Sequence, residues 1–404
     1  MACRGIYSCL LYVRQPIRAQ APPYLSYMKQ FSAYRLAGLG LLLGGLGLRP
    51  AAAQQLGGRV VFPFLDLPPS AHLAALGGMN PSTRTDDPTM LYGNPALLNP
   101  DMDGRLALSY VAYMADIKQS TAAYVFNTRK FGRMGVGLTY LNYGSFESYD
   151  PAGNSLGTFG VNEYTVGLSD AYTKGKFTFG ATAKLAVSSI AGSRSLAGVA
   201  DAGVVYKHPT ADFTAGLVVK NAGYQFVTYP GTDRGHLPLD VQLGATVKPE
   251  HMPVRFSLTA HHLQQWDIQY LDPNARGTVD ASGMEKKPTR SFGDNLARHF
   301  TASAALVLGQ GLQLRVGYNH LQRRELRLDN TSGSAGLSFG AMIKISTFQL
   351  DYTHATLQAA GSSEYITVSR SLDSLFKKKD KSPAPSTPKA KPDGSKTRYR
   401  KVGS

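Results

Sequence analysis

Residues 176–188 read KFTFGATAKLAVS, and apolar side chains occupy every second position of this stretch. Phe177 and Leu185 fall on one face of an extended chain, whereas Thr178 and Lys184 fall on the other. Alternation with a period of two over so long a run predicts a β-strand with one apolar face and one polar face. We expect the apolar face to meet lipid and the polar face to line the lumen of a barrel.

The same alternation recurs from residue 105 to residue 372. Most repeats match the roughly 9–11 residues that a tilted membrane-crossing strand needs. The pattern predicts an all-β fold, a 14-stranded antiparallel transmembrane β-barrel with a short N-terminal helical plug. The strands are expected near residues 105–113, 119–127, 132–143, 162–173, 176–190, 197–207, 213–222, 239–248, 254–263, 299–308, 312–321, 336–345, 347–354 and 364–372.

The predicted connections alternate in length. Those after even-numbered strands are short, such as residues 174–175, whereas most of those after odd-numbered strands are long. The long ones are residues 144–161, 223–238, 264–298, 322–335 and 355–363. Short turns at one end and long loops at the other are typical of outer-membrane barrels, with the short turns in the periplasm. A pair of soluble β-sandwiches, the alternative for 404 residues, gives no reason for this sorting.

The composition agrees with a barrel. The chain contains 42 Gly and 22 Tyr but only 17% charged residues, which suits many bends and an aromatic girdle. The net charge is +16, but the basic excess is concentrated in residues 1–53 and 373–404, so it does not indicate nucleic-acid binding. Residues 373–404 are rich in Lys, Pro and Ser, which predicts a disordered basic tail in the periplasm.

The N-terminal region is typical of a secreted protein. Residues 28–53 combine a basic start, an apolar core and three closing alanines, which predicts a signal peptide cleaved after Ala53. We interpret residues 1–27 as an extension upstream of the true start. Both cysteines, Cys3 and Cys9, lie in that extension. The mature chain is therefore expected to have no disulfide, no thiol nucleophile and no cysteine-bound metal.

Residues 54–104 are predicted to enter the barrel from the periplasm and to fill its lumen as a plug. A serine followed by AHLAALGG predicts a short helix over residues 71–76. Asp86 or Asp87, placed before Pro88, predicts a second helix start. Helices this short are not stable alone, so we expect them to pack against the barrel wall.

The sequence shows none of the usual catalytic, phosphate-binding or dinucleotide-binding motifs. His261 and His262 are neighbours on a predicted strand, so we expect their rings to point to opposite faces and not to share a metal ion. The sequence therefore predicts no catalytic residue, no metal site and no cofactor, and we expect the protein not to be an enzyme.

Residues 264–298 form the longest predicted connection and carry the single tryptophan of the chain. Length and mixed chemistry make this loop the best candidate for a contact with a partner. Its candidate contact residues are Trp266, Tyr270, Lys286 and Arg290. A mobile loop that caps the barrel is the alternative, and the sequence leaves both open.

Three segments resemble a known family. FLDLPPSAHLAALGG (64–78), DDPTMLYGNPALLNP (86–100) and RLALSY (105–110) are similar to the PorQ family, outer-membrane proteins of the Bacteroidetes type IX secretion system. A shorter motif resembles the N-terminal hatch of the wider FadL-like barrel group, which includes the related PorV family. This plug motif consists of Asn94, Pro95, Ala96 and Leu97. The resemblance implies fourteen strands and an N-terminal plug.

The resemblance also implies a non-enzymatic scaffold of the attachment complex of that secretion system. Barrels of this family are thought to tether PorZ, alongside the sortase-like protease PorU and the cargo shuttle PorV, where cargo is linked to lipopolysaccharide. The expected partners are these proteins, outer-membrane lipid and lipopolysaccharide, and no nucleic acid. The alternative is a FadL-like transporter of hydrophobic small molecules. That function needs an apolar lumen with a lateral opening, and the polar inner faces count against it.

Overall fold

The computed structural model describes residues 60–269, 278–279, 285–286, 291–309, 311–326, 334–358 and 361–372. The predicted N-terminal extension, signal peptide and basic tail lie outside these residues. Within the described ranges, no helix is long and apolar enough to cross a membrane.

Fourteen of the described strands form one closed antiparallel sheet. In chain order they are β1 (Arg105–Ala112), β2 (Lys118–Thr128), β3 (Gly132–Tyr149), β4 (Ser155–Lys174), β5 (Phe177–Ile190), β6 (Ser193–Lys207), β7 (Phe213–Val227), β8 (Asp240–Val247), β9 (Val254–Ala260), β12 (Phe300–Leu308), β13 (Leu312–Asn319), β14 (Leu337–Ile345), β15 (Phe348–Gln358) and β16 (Gly361–Ser371). Strand β1 pairs with β16, which leaves the barrel without a free edge. The predicted barrel is confirmed. Strands β10 (Thr278–Val279) and β11 (Glu285–Lys286) form a separate hairpin between β9 and β12.

The outer surface of the barrel is apolar and the inner surface is polar. Leu108 is 53% exposed and Val166 is 50% exposed, whereas the neighbouring Ala107 and Thr165 are buried. Further exposed apolar positions include Leu138, Leu185, Leu217, Leu243, Leu258, Leu314, Phe339 and Ile366. In a closed sheet, the backbone groups of each strand form hydrogen bonds with neighbouring strands, and the apolar side chains on the outside contact lipid. The chain is a multi-pass outer-membrane β-barrel, as the sequence predicts.

The connections differ between the two ends of the barrel. The short-turn end is formed by residues 129–131, 175–176, 208–212, 248–253, 309–311 and 346–347. Among the described residues, the long-loop end is formed by 113–117, 150–154, 191–192, 228–239, 261–269, 291–299, 320–326 and 334–336. The sorting by length that the sequence predicts is present in part, because the three longest connections, residues 228–239, 261–299 and 320–336, all lie at one end. They identify that end as the outer one.

Two of the predicted long loops are wrong. Residues 144–161 are mostly strand, because β3 and β4 continue pairing beyond an irregularity near Gly144. Phe146 and Phe159 stack across this extension with ring centroids 5.7 Å apart, and such cross-strand aromatic pairs stabilise a ladder. Residues 355–363 likewise belong largely to β15 and β16.

The plug consists of short helices joined by tight turns. They are the 3-10 helix Pro63–Asp66, α1 (Ala71–Ala75) and the 3-10 helices Pro88–Tyr92, Pro95–Leu97 and Pro100–Met102. The Ser70 Oγ accepts the Leu73 N–H at 3.3 Å and caps α1, and the Asp87 carboxylate accepts the Thr89 N–H at 2.9 Å. Both predicted helix starts are confirmed. Two helices outside the plug, α2 (Phe292–Arg298) and α3 (His320–Glu325), lie at the long-loop end.

The plug runs through the lumen from the long-loop end to the short-turn end. The Val61 N–H donates to the carbonyl of His236, in the connection between β7 and β8, at 2.9 Å. At the opposite end the Leu372 N–H donates to the Gly104 carbonyl at 2.7 Å, directly before β1. The prediction that this segment enters from the periplasm is therefore wrong for its described part. Phe62 and Phe64 fix this direction by packing in a core at the long-loop end.

Candidate functional site

The plug motif is the point at which the plug docks on β5 and β6. The Asn94 side chain accepts the Ala96 N–H at 2.9 Å and donates to the Pro81 carbonyl at 3.0 Å. It therefore caps the Pro95–Leu97 helix and ties it to the preceding turn of the plug. Asn94, Ala96 and Leu97 are each at most 2% exposed. The motif is thus a buried structural element.

Glycines on the inner wall let the plug backbone approach the sheet. A Cβ added to Gly180 would overlap the backbone of Pro95 and Ala96, and one added to Gly203 would overlap the Asn94 side chain. Gly180 and Gly203 are direct cross-strand partners on β5 and β6. Only glycine permits backbone to approach backbone this closely. The wall is therefore shaped to receive this plug.

Hydroxyl groups connect the plug to β8 and β9. The Ser82 Oγ lies 2.8 Å from the Thr246 Oγ1, and the Thr83 Oγ1 lies 3.1 Å from the Ser257 Oγ. The Thr214 hydroxyl donates to the Ser82 carbonyl at 2.7 Å. All of these side chains are buried. Each buried hydrogen bond contributes about 1 kcal/mol, and breaking one leaves groups that cost more.

Ion pairs fasten the last part of the plug. Asp86 binds both Arg105 at the start of β1 and Lys344 near the end of β14. Asp103 pairs with Arg133 of β3 through two bonds of 2.6 and 3.0 Å. A bidentate pair between a guanidinium and a carboxylate is among the stronger ionic contacts. The plug is therefore held from several directions at the short-turn end.

A buried pair also holds the plug together internally. The His72 Nδ1 lies 2.8 Å from an Asp87 carboxylate oxygen, and both side chains are at most 3% exposed. Burial acts to raise the pKa of Asp87, but the contact with His72 and the hydrogen bonds from Thr89 outweigh it and lower that pKa. Asp87 therefore links α1 to the following 3-10 helix.

Two small cavities lie beside the plug. A cavity of about 40 Å³ lies between the plug and the wall, lined by Phe64, Leu67, Tyr92, Gln119 and Lys184 among others. A second cavity of about 10 Å³ lies beside α1. Volumes of this size hold from one to a few water molecules. At these two places the gaps between the described plug and the wall are no larger than a few water molecules.

The long-loop end carries an exposed apolar surface. Trp266 is 53% exposed, Phe292 71% and Leu296 39%, and the Trp266 and Phe292 rings lie 5.4 Å apart. We call these three side chains the aromatic patch. Of the other candidate contact residues, Tyr270 and Arg290 lie outside the described residues, and Lys286 lies on β11. The role of the four residues in partner contact stays a prediction.

Side-chain contacts anchor the aromatic patch to the barrel end. The Asn295 side chain donates to the Trp266 carbonyl at 2.6 Å, and the His299 ring stacks on the Trp266 ring at 5.6 Å. Asp294 of α2 binds Arg324 of α3 at 2.8 Å. The described parts of this connection are therefore cross-linked to each other and to the next loop.

The two neighbouring histidines do not behave as the sequence predicts. Strand β9 ends at Ala260, and His262 has a φ of 55°, in the left-handed region. Residues beyond a strand end no longer alternate between faces, so the rings of His261 and His262 turn toward each other. Their Nδ1 atoms are 2.7 Å apart. The expectation of opposite faces is wrong. Asp240, which lies beside the two rings, has no sequence motif that marks it.

Comparisons with known proteins give matches at the level of solved structures. No protein-family description matches the chain, and no curated protein sequence matches it. The Ralstonia pickettii toluene transporter TbuX aligns with a TM-score of 0.44 and 13% identity, over 77% of this chain and 100% of that one. A deltaS2 mutant of the TodX monoaromatic hydrocarbon channel aligns at 0.40 and 17%, over 75% and 98%. A Pseudomonas aeruginosa FadL homologue aligns at 0.36 and 12%, over 72% and 98%. The fold assignment rests on the strand pairing described above.

Proposed function

We propose that the chain is a non-enzymatic scaffold of a type IX secretion attachment complex. In this role it presents its long-loop end to a PorZ-like surface protein that supports cargo processing by a PorU-like protease. A PorV-like shuttle and lipopolysaccharide are the other expected partners. The resemblance of the plug segments to the PorQ family supplies the identity of the partners, and the bonding of the plug to the barrel wall supplies the physical argument.

The observation that carries the proposal is the way in which the plug is seated. The wall glycines bring plug backbone against sheet backbone, and buried hydroxyls and ion pairs surround this contact. A route for a hydrophobic molecule through the lumen requires many of these contacts to break together. A scaffold requires none of them to break. The polar inner wall, rich in Ser, Thr and Gln, also disfavours passage of an apolar solute.

The aromatic patch is the surface that we assign to the partner. Exposed aromatic side chains held in a fixed arrangement are typical of the residues that dominate binding energy in protein interfaces. The patch is anchored before any partner arrives, so binding loses less conformational entropy than it does on a loose loop. A PorZ-like protein with an apolar pocket is therefore the expected occupant.

A disulfide between the plug and the wall tests whether the lumen must open. Ser82 and Thr246 have side-chain oxygens 2.8 Å apart, so cysteines at both positions are close enough to be oxidised to a disulfide. A scaffold should recover its partners equally well in the oxidised and reduced S82C/T246C variant. The single variants S82C and T246C control for the substitutions themselves.

The same variant distinguishes the transporter alternative. If oxidation abolishes uptake of a hydrophobic solute by whole cells, and reduction restores it, the lumen opens and the scaffold proposal is wrong. The proposed binding of a surface partner is tested by affinity capture from native outer membranes of the source organism, with identification by mass spectrometry. Recovery of a PorZ-like or PorU-like protein supports the proposal. Recovery of neither, together with intact cargo attachment after gene deletion, overturns it.

A further inference from the structure

Two imidazole nitrogens and one carboxylate converge at the long-loop end. The Nδ1 atoms of His261 and His262 are 2.7 Å apart, and the His262 Nδ1 lies 3.7 Å from the Asp240 Oδ1. All three of these atoms lie within 4.8 Å of one another. We call these three residues the histidine cluster. Nitrogen and carboxylate donors in this number are the ligands that Zn²⁺ takes in proteins.

The backbone conformation at His262 brings the three side chains of the cluster together. His262 adopts a left-handed φ of 55°, which costs a non-glycine residue free energy unless the surroundings compensate. The His262 N–H donates to the Asp240 Oδ1 at 2.6 Å, and the Gln242 side chain donates to the Asp240 Oδ2 at 2.6 Å. These bonds orient the carboxylate toward the rings.

The only ring nitrogen of His261 with a polar contact among the described residues is Nδ1, which faces His262. His261 is fully buried, and its Nε2 has no hydrogen-bond partner among the described residues. Its Nδ1 faces the His262 Nδ1. The backbone of His261 is fixed on both sides, because its N–H donates to the His299 carbonyl and its carbonyl contacts the His299 Nδ1 at 2.7 Å. Because the backbone is fixed and the ring is buried, the His261 Nδ1 is held in position beside the His262 Nδ1.

We propose that Asp240, His261 and His262 bind one Zn²⁺ ion. With bonds of about 2.0–2.1 Å to each nitrogen, a tetrahedral ion separates two ligand nitrogens by about 3.3 Å. The rings must therefore move apart by roughly 0.6 Å from their separation of 2.7 Å, a small adjustment for side chains. The side chain of His262 is 30% exposed, which leaves a fourth position open to solvent.

Binding joins the start of β8 to the first residues after β9. Through His299, which contacts both His261 and the Trp266 ring, the site also supports the aromatic patch. That last consequence rests on the proposed function, whereas zinc binding itself does not. A metal that restrains this connection acts as a cross-link and favours the folded arrangement of the long-loop end.

Metal titration of the purified barrel tests the proposal. The full chain is prepared in detergent with a tag that lacks histidine, stripped with chelator and titrated with Zn²⁺ by calorimetry, and Co²⁺ absorption reports the ligand geometry. One equivalent is expected, with a tetrahedral Co²⁺ spectrum. His262→Gln and Asp240→Asn should each weaken binding at least about 10-fold, because loss of outer-shell partners alone has that effect.

The matched control is His251→Gln, which removes an exposed histidine in the turn between β8 and β9 at the short-turn end. Circular dichroism of each variant shows whether the barrel is folded. Zinc binding should be unchanged in the control. Absence of stoichiometric zinc in the folded wild type, or binding that both cluster variants leave intact, overturns the proposal. Partner capture is measured separately, so failure of the metal site does not speak against the scaffold function.

Discussion

The plug and the long-loop end differ in which side chains they bury and which they expose. In the plug, polar groups such as those of Asn94 and Asp87 are buried and bonded. At the long-loop end, Trp266 and Phe292 are anchored through their neighbours but leave large apolar surfaces exposed. Burial and hydrogen bonding of most polar groups indicate a part that stays in place. Anchored aromatic side chains that remain exposed are the part that, in the proposed function, contacts a partner.

The largest expected effect is on the buried pair of the plug. Asp87→Ala removes the partner of His72 and the cap of the Pro88–Tyr92 helix. Asp87→Ala leaves a buried imidazole without its partner, which costs about 1–3 kcal/mol, and removes a helix cap worth about 1 kcal/mol, so the free energy of unfolding in detergent should fall by about 2–4 kcal/mol. Denaturant titration followed by circular dichroism measures it.

The control for this change is Asp101→Ala, an exposed aspartate in the same segment. Its effect should stay within about 0.5 kcal/mol. Equal effects of the two substitutions would show that the plug does not depend on the buried pair. The plug would then be held less tightly than its contacts indicate, and the contrast with the long-loop end would weaken.

A smaller effect is expected at the wall. Gly180→Ala places a Cβ against the backbone of Pro95 and Ala96, which cannot move aside as a side-chain end can. Overpacking of this kind costs about 1–3 kcal/mol. Gly160→Ala is the matched strand control, because the nearest atom to a Cβ added there is the Asn162 Nδ2 at 3.6 Å, an ordinary contact distance. Conductance in planar bilayers adds a second readout, since a displaced plug opens the lumen. Equal stability and no conductance in both variants would contradict the tight seating of the plug.

The sequence predicted much of the barrel and less of what fills it. Alternation along residues 176–188 fixes the strand faces, and the order of short and long connections fixes the two ends. The direction of the plug was missed because the capping residues that mark helices in a sequence do not show at which end of the barrel the segment begins. The role of Gly180 was missed because only the tertiary structure shows which glycines meet the plug.

The candidate site was predictable only in part. A tryptophan in the longest connection pointed to the long-loop end, but the contact of Trp266 with Phe292 depends on how α2 folds back. The histidine cluster depends on a left-handed φ at His262, and a non-glycine residue gives no signal for that conformation. Asp240 is brought to the cluster only by the pairing of β8 with β9. A site whose residues come together through a turn and a strand distant in sequence cannot be predicted from the spacing of those residues along the chain.

The smallest expected effect is on partner binding. Trp266→Ala removes the larger ring of the aromatic patch while the barrel and plug remain intact. Because one exposed aromatic residue at the centre of an interface contributes about 1–2 kcal/mol or more, affinity for the proposed PorZ-like partner should fall at least about 5-fold. Biolayer interferometry with the captured partner measures this loss, and Phe292→Ala should give a similar but weaker result.

Phe131→Ala provides the control, because Phe131 is 46% exposed and lies in the turn between β2 and β3, at the short-turn end. It tests whether any exposed aromatic residue affects recovery of the protein from the membrane. Equal loss in Phe131→Ala and Trp266→Ala would mean that both rings act by anchoring the barrel in lipid. A loss confined to Trp266 and Phe292 assigns them to the partner, since aromatic side chains at the membrane interface serve both ends of a barrel alike.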